Sequence, residues 1–134
     1  NRPLDHLRFD FRGPMPGVAG ALQALRAVRR LVIVTGRRSS PAGWLRWHRM
    51  DGIVDGIVVN DTRLKSPHFK LRALEALRAD EHVDDDPRTV QLLAQASSTR
   101  VFLCDWPRNR DLPYAPGVER VRDLRDLAAR IAGR

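Results

Sequence analysis

The sequence predicts an α/β domain with three layers, α/β/α, around a mainly parallel sheet of about five strands. Three observations predict it. Short apolar runs rich in β-branched residues alternate along the chain with longer stretches whose apolar residues recur three or four positions apart. One of the short runs, Leu31-Val32-Ile33-Val34, is apolar at every position, as a strand covered on both faces must be. Residues able to do chemistry gather just after the apolar runs, which is where open α/β sheets bind ligands.

Leu7, Phe9 and Phe11 alternate with polar residues and predict a first strand, broken by Gly13-Pro14-Met15-Pro16-Gly17. Val18, Leu22, Leu25 and Val28 stand at helical spacing and predict a helix to Arg30. Leu31-Val32-Ile33-Val34 is a buried strand ended by Thr35-Gly36-Arg37. Ser39, Ser40 and Pro41 make a helix start, continued by Trp44, Leu45, Trp47 and His48 towards Met50. Gly56-Ile57-Val58-Val59 reads as a second short buried strand, followed by a polar loop over residues 60–67. Phe69, Leu71, Leu74 and Leu77 define the next helix. Glu81-His82-Val83-Asp84 is a short strand, and Pro87 opens a helix through Val90, Leu92, Leu93 and Ala96. Arg100-Val101-Phe102-Leu103-Cys104 is another strand. A long loop over residues 105–117 leads to an edge strand, Val118–Val121, and a closing helix carrying Leu124, Leu127, Ala128 and Ile131. Such alternation implies right-handed βαβ units. No repeat, low-complexity tract or linker divides residues 1–134, so one domain is expected.

Composition narrows the classes. With 43% hydrophobic and 30% charged residues the chain should fold rather than stay disordered. No apolar run approaches the ~20 residues of a membrane span, and no signal peptide is evident. Cys104 is the only cysteine, so no internal disulfide can form, and a cytoplasmic setting is expected. The net charge is +8, nearly all of it from arginine, with Lys65 and Lys70 the only lysines. The arginines are spread over every helix, which reads as general composition more than as a block built for a polyanion.

Asp10, Thr35, Lys70 and the run Asp84-Asp85-Asp86 lie at strand ends or helix starts. Phosphoryl transfer through a carboxylate uses these residue types: an aspartate to attack phosphorus, a hydroxyl and a lysine to bind phosphoryl oxygens, further aspartates to hold Mg²⁺. Each also has a structural use. Thr-Gly after a strand is ordinary turn chemistry, and aspartates before a proline can cap a helix.

The segment from Pro16 through Leu31-Val32-Ile33-Val34-Thr35-Gly36-Arg37 resembles the second motif of the haloacid dehalogenase (HAD) superfamily of phosphohydrolases. Phe69-Lys70-Leu71-Arg72-Ala73-Leu74 resembles its third motif, and His82-Val83-Asp84-Asp85-Asp86-Pro87 its fourth. The loop Asp105-Trp106-Pro107-Arg108-Asn109-Arg110 is similar to that of members acting on nucleotides or polynucleotide ends. The resemblance implies a Rossmannoid domain without a large cap. It also implies catalytic roles for Asp10, Thr35 and Lys70, phosphate binding by Thr35, Gly36 and Lys70, and a Mg²⁺ site of Asp10, Asp84 and Asp85.

The first motif departs from the family pattern. Its closest match is Asp10-Phe11-Arg12-Gly13, with Arg12 where the second aspartate would act as general acid/base. A guanidinium stays protonated and cannot take that role. Two readings stand: Asp10 belongs to a degenerate motif, or the motif lies upstream of Asn1 in a truncated chain. The function expected is therefore a Mg²⁺-dependent phosphatase acting on a phosphorylated small molecule or a nucleotide or nucleic-acid end. The alternative is a catalytically inactive domain that binds a phosphorylated ligand, a protein or nucleic acid. A basic nucleic-acid-binding module is a third possibility. Trp44 and Trp47 read as helix packing, Cys104 as core, and His48, His68 and His82 lack metal-ligand spacing. Thr35, Lys70, Asp84 and Asp85 should meet at one edge of the sheet.

Overall fold

The computed structural model describes residues 2–5, 18–47, 49–105 and 114–132. Strands β1 (Arg2–Asp5), β2 (Arg29–Val34), β3 (Gly56–Val58), β4 (Glu81–Asp84), β5 (Arg100–Cys104) and β6 (Val118–Val121) form one sheet in the order β3-β2-β1-β4-β5-β6. Every pairing is parallel. The sheet has six strands where about five were expected. Helices α1 (Val18–Arg26), α2 (Ala42–Trp47), α3 (Ser66–Leu77), α4 (Pro87–Ala96) and α5 (Leu124–Ala132) connect them. No helix among the described residues is long and apolar enough to cross a membrane.

Both faces of the sheet are covered, and the two-residue period of a strand shows how. Along β2, Leu31 and Ile33 enter one core with Leu22 and Leu25 of α1, Leu127 and Ile131 of α5, and Phe102. Val32 and Val34 enter a second core with Phe69 and Leu74 of α3, Val90 and Leu93 of α4, Val101 and Leu103. This is why the run is apolar throughout. Along β4 the same alternation sends Val83 to the α1/α5 side and leaves His82 and Asp84 to the α3/α4 side, both buried.

Several expectations are corrected. The strand between β2 and β4 is Arg2–Asp5, paired through Asp5 with Val32 and His82; the strand expected over Leu7, Phe9 and Phe11 lies outside the described residues. Pro3 is tolerated mid-sheet because pairing with β4 starts only at Leu4, beyond the missing N–H. Helix α1 stops at Arg26, and Arg29 and Arg30 already belong to β2. The Gly56 strand is an edge strand, half-buried and three residues long, with no strand paired beyond it among the described residues. Helix α2 ends at Trp47 rather than near Met50, and Arg49 is left-handed, with φ of 57°.

Candidate functional site

The carboxyl ends of β2, β1, β4 and β5 open on one edge of the sheet, since all four are parallel. At the end of β4, Asp84 is the centre of a buried polar cluster. Lys70 Nζ donates to Asp84 Oδ2 across 2.7 Å, and His82 Nε2 lies 3.1 Å from the same oxygen. The backbone N–H groups of Asp85 and Asp86 donate to Oδ1 at 2.8 and 3.0 Å. Lys70 gets there because α3 buries the face carrying Phe69, Lys70 and Leu74. Lys70 was expected to open its helix; it stands in the second turn, after Lys65 at the N-cap and Pro67 in the first turn. Burying these charges is tolerable because each carries partners.

Thr35 continues the β2 ladder by one residue, its N–H donating to the Val58 carbonyl at 3.0 Å. Its Oγ1 accepts the Arg37 N–H at 3.2 Å, closing a short turn. Gly36 sits against the start of α3. A Cβ there would lie 2.2 Å from Ser66 Oγ and 2.6 Å from Ser66 Cβ, so only glycine lets the turn and the helix meet. The turn after β2 is thus docked on the helix that delivers Lys70.

Asn60 escaped the sequence reading, in which it was the first residue of a polar loop. It is 6% exposed. Its Nδ2 donates to the Leu64 carbonyl at 2.9 Å, and its Oδ1 accepts from Thr62 N at 3.0 Å and Thr62 Oγ1 at 2.6 Å. The Asn60 N–H donates to the Arg37 carbonyl at 2.9 Å. An asparagine opening a loop was the available signal, since its side chain readily bonds nearby backbone.

The remaining expected site residues divide. Asp10 lies outside the described residues. Asp85 is half-buried, one residue past Asp84. Asp86 occupies the N-cap position of α4, but its carboxylate accepts from Thr89 Oγ1 at 2.7 Å. Of the three carboxylates expected to hold Mg²⁺, Asp84 already accepts three hydrogen bonds and has His82 Nε2 3.1 Å from Oδ2, so most of its lone-pair sites are engaged. Among the described residues no group of three His, Cys, Asp or Glu side chains is arranged to hold a metal. The described donors therefore do not make a Mg²⁺ site by themselves.

Burial pushes the Cys104 thiol up to about 12, and the negative charges of Asp85, Asp123, Asp84 and Asp105 add to the shift. Trp44 packs against the core, but Trp47 is 83% exposed, which corrects its reading as a packing residue. The helix ends at Trp47 and turns its last residue outward.

A six-stranded parallel sheet with helices on both faces, and strand order reversing at β1, is a doubly wound α/β protein. The sequence matches no protein-family model and no curated protein. Its backbone matches solved structures. It aligns with a HAD-superfamily hydrolase of subfamily IA from Geobacter sulfurreducens PCA at a TM-score of 0.64 and 21% identity, over 87% of this chain and 60% of that one. Against a 2-haloacid dehalogenase from Pseudomonas syringae pv. Tomato DC3000 the values are 0.63 and 20%, over 89% and 53%. Against the core domain of a candidate phosphoglycolate phosphatase from Streptococcus pneumoniae TIGR4 they are 0.67 and 16%, over 99% and 96%. The chain has the HAD-like fold. It spans only 60% and 53% of the first two proteins but nearly the whole of the core domain.

Proposed function

We propose that the domain binds the phosphoryl group of a phosphomonoester at the carboxyl edge of the sheet and acts as a HAD-type phosphatase. The observation that carries this reading is the buried Lys70–Asp84 pair at the end of a central strand; the turn of Thr35 and Gly36 supports it by packing on the first turn of the helix that carries Lys70. A hydroxyl has one hydrogen and two acceptor sites. Thr35 Oγ1 accepts from Arg37 and keeps its hydrogen for a phosphoryl oxygen. Lys70 supplies positive charge against the phosphate, in a site where low polarity strengthens it. Asp84 acts through Lys70: it fixes the ammonium and keeps the buried site near neutrality. Asp10 is the nucleophile in this reading, and Asp85, next to Asp84, the carboxylate that would face a cation. Mg²⁺ would neutralise phosphate charge when bound. The substrate class is a nucleotide or polynucleotide-end phosphate, or a phosphorylated small molecule, in a cytoplasmic setting.

Release of phosphate from an aryl phosphate, with Mg²⁺ and with chelator, tests the reading. Turnover that disappears in Lys70→Met supports it. A second reading has its own observation. Asp84 is heavily engaged by Lys70 and two backbone N–H groups, and Arg12 stands at the position of the general acid/base. These favour a domain that binds the phosphorylated group without hydrolysing it. Phosphate-dependent binding with no release at any Mg²⁺ concentration selects this second reading; no binding and no release refutes both.

A further inference from the structure

We propose that the two loops beyond β2 and β3 form a second anion subsite, so that the site selects a phosphomonoester carrying at least one further phosphate. The inference rests on the phosphate-site reading above and names its substrate class.

The loops are residues 35–41 and 59–65. They are fastened to one another: Asn60 N–H donates to the Arg37 carbonyl at 2.9 Å, and Arg38 Nη2 donates to the Thr62 carbonyl at 3.4 Å. The second loop is preorganised from inside by buried Asn60, whose side chain holds Thr62 and Leu64. Thr62 Oγ1 accepts the Leu64 N–H at 3.1 Å and tightens it further. Such a loop loses little entropy when it meets a ligand.

What the loops present outward is cationic. Arg37, Arg38, Arg63 and Lys65 are exposed, against Asp61 as the carboxylate of the same segments. Several arginines elsewhere are neutralised, Arg29 by Glu81, Arg100 by Glu119 and Arg120 by Asp105. Arg38, Arg63 and Lys65 have no carboxylate partner among the described residues. Arg38 follows Thr35 by three residues, so its backbone is within ~11 Å of it even fully extended. The second loop is tied to the first at Arg37 and Arg38, just past Thr35, so a phosphate bound at Thr35 would meet a frame that carries unneutralised guanidinium and ammonium groups. A single phosphoryl group is already served by Thr35 and Lys70. The extra cations suit a second phosphate joined to the first, as in a nucleoside bisphosphate or a polynucleotide end.

The test is calorimetric binding of three probes: a nucleoside monophosphate, a nucleoside bisphosphate, and a short single-stranded oligonucleotide with a terminal phosphate. The wild-type protein should bind the latter two at least ~10-fold more tightly than the first, about 1.4 kcal/mol. The triple variant Arg38→Gln, Arg63→Gln, Lys65→Gln changes exposed residues only and should bring the ratio close to one. It should also flatten the salt dependence for the oligonucleotide by ~0.7 in logarithmic slope for each phosphate that is no longer neutralised. An oligonucleotide bound more tightly than the bisphosphate identifies a polynucleotide as the source; equal affinity identifies the free bisphosphate. A wild-type ratio near one, or a ratio that survives the triple substitution, overturns the subsite. If Lys70→Met leaves monophosphate affinity unchanged, the phosphate-site reading itself fails.

Discussion

Lys70 donates to Asp84 across 2.7 Å, from the second turn of α3 to the last residue of β4, with 3% and 0% of the two side chains exposed. The pair joins helix to sheet in the place where the proposed chemistry happens, and each charge depends on the other. Lys70→Met takes the ammonium away from buried Asp84. Asp84→Asn takes a carboxylate charge away from the buried ammonium. Each substitution should cost about 3–5 kcal/mol, the cost of an uncompensated buried charge. The double variant should cost clearly less than the sum of the two. Urea unfolding of the four proteins measures the coupling, and strict additivity would mean that the pair is not a structural unit.

Gly36→Ala drives a Cβ into Ser66, at 2.2 Å from Oγ and 2.6 Å from Cβ. Either the turn after β2 or the first turn of α3 must shift. A loss of about 1–3 kcal/mol is expected, together with weaker phosphate binding because Thr35 moves with the turn. Adding Ser66→Gly should restore much of both. Thermal unfolding and phosphate titration of the single and double variants check this, and a neutral Gly36→Ala would show that the turn is loosely docked.

Asn60→Ala removes three hydrogen bonds around one buried side chain. The expected loss is about 1–3 kcal/mol from the groups left unsatisfied. Hydrogen exchange gives a local reading. The Thr62 amide, which donates to Asn60 Oδ1, should exchange far faster, while amides of β5 stay protected to the extent that global stability allows. Uniform acceleration across the sheet would instead mean that Asn60 supports the whole fold.

The Cys104 thiol titrates at about 12, raised first by burial and then by neighbouring aspartates. Its folded value lies above the unfolded one, so its contribution to stability is fully present below the ordinary thiol range. That contribution is lost as pH rises towards about 12. The difference in unfolding free energy between wild type and Cys104→Ala should therefore shrink between pH ~9 and pH ~12. Alkylation at neutral pH should be slow in the folded protein, because the thiolate is the reactive form. Rapid labelling under native conditions would contradict the burial of this sulfur.

Much of the fold was legible in the residues themselves. The run from Leu31 to Val34 dictates a strand covered on both faces, because every second side chain points the opposite way. The spacings of Leu22 and Leu25, of Leu74 and Leu77, and of Leu127 and Ile131 dictate helices with one buried face, and all six residues lie in or against the two cores. Alternation of the two patterns dictates parallel strands, and parallel strands share a carboxyl edge. Tertiary structure decided what local patterns do not encode. β1 holds a central place with only four residues, since its ladder is supplied by β2 and β4. Gly56–Val58 is an edge and not a buried strand because nothing pairs beyond it among the described residues. Whether Lys70 is solvated or buried could not be read from its neighbours in sequence, since a buried ammonium is stable only when a distant element brings it a carboxylate. The alternation along β4 turns Asp84 towards α3, and the packing of Phe69 and Leu74 turns Lys70 to meet it.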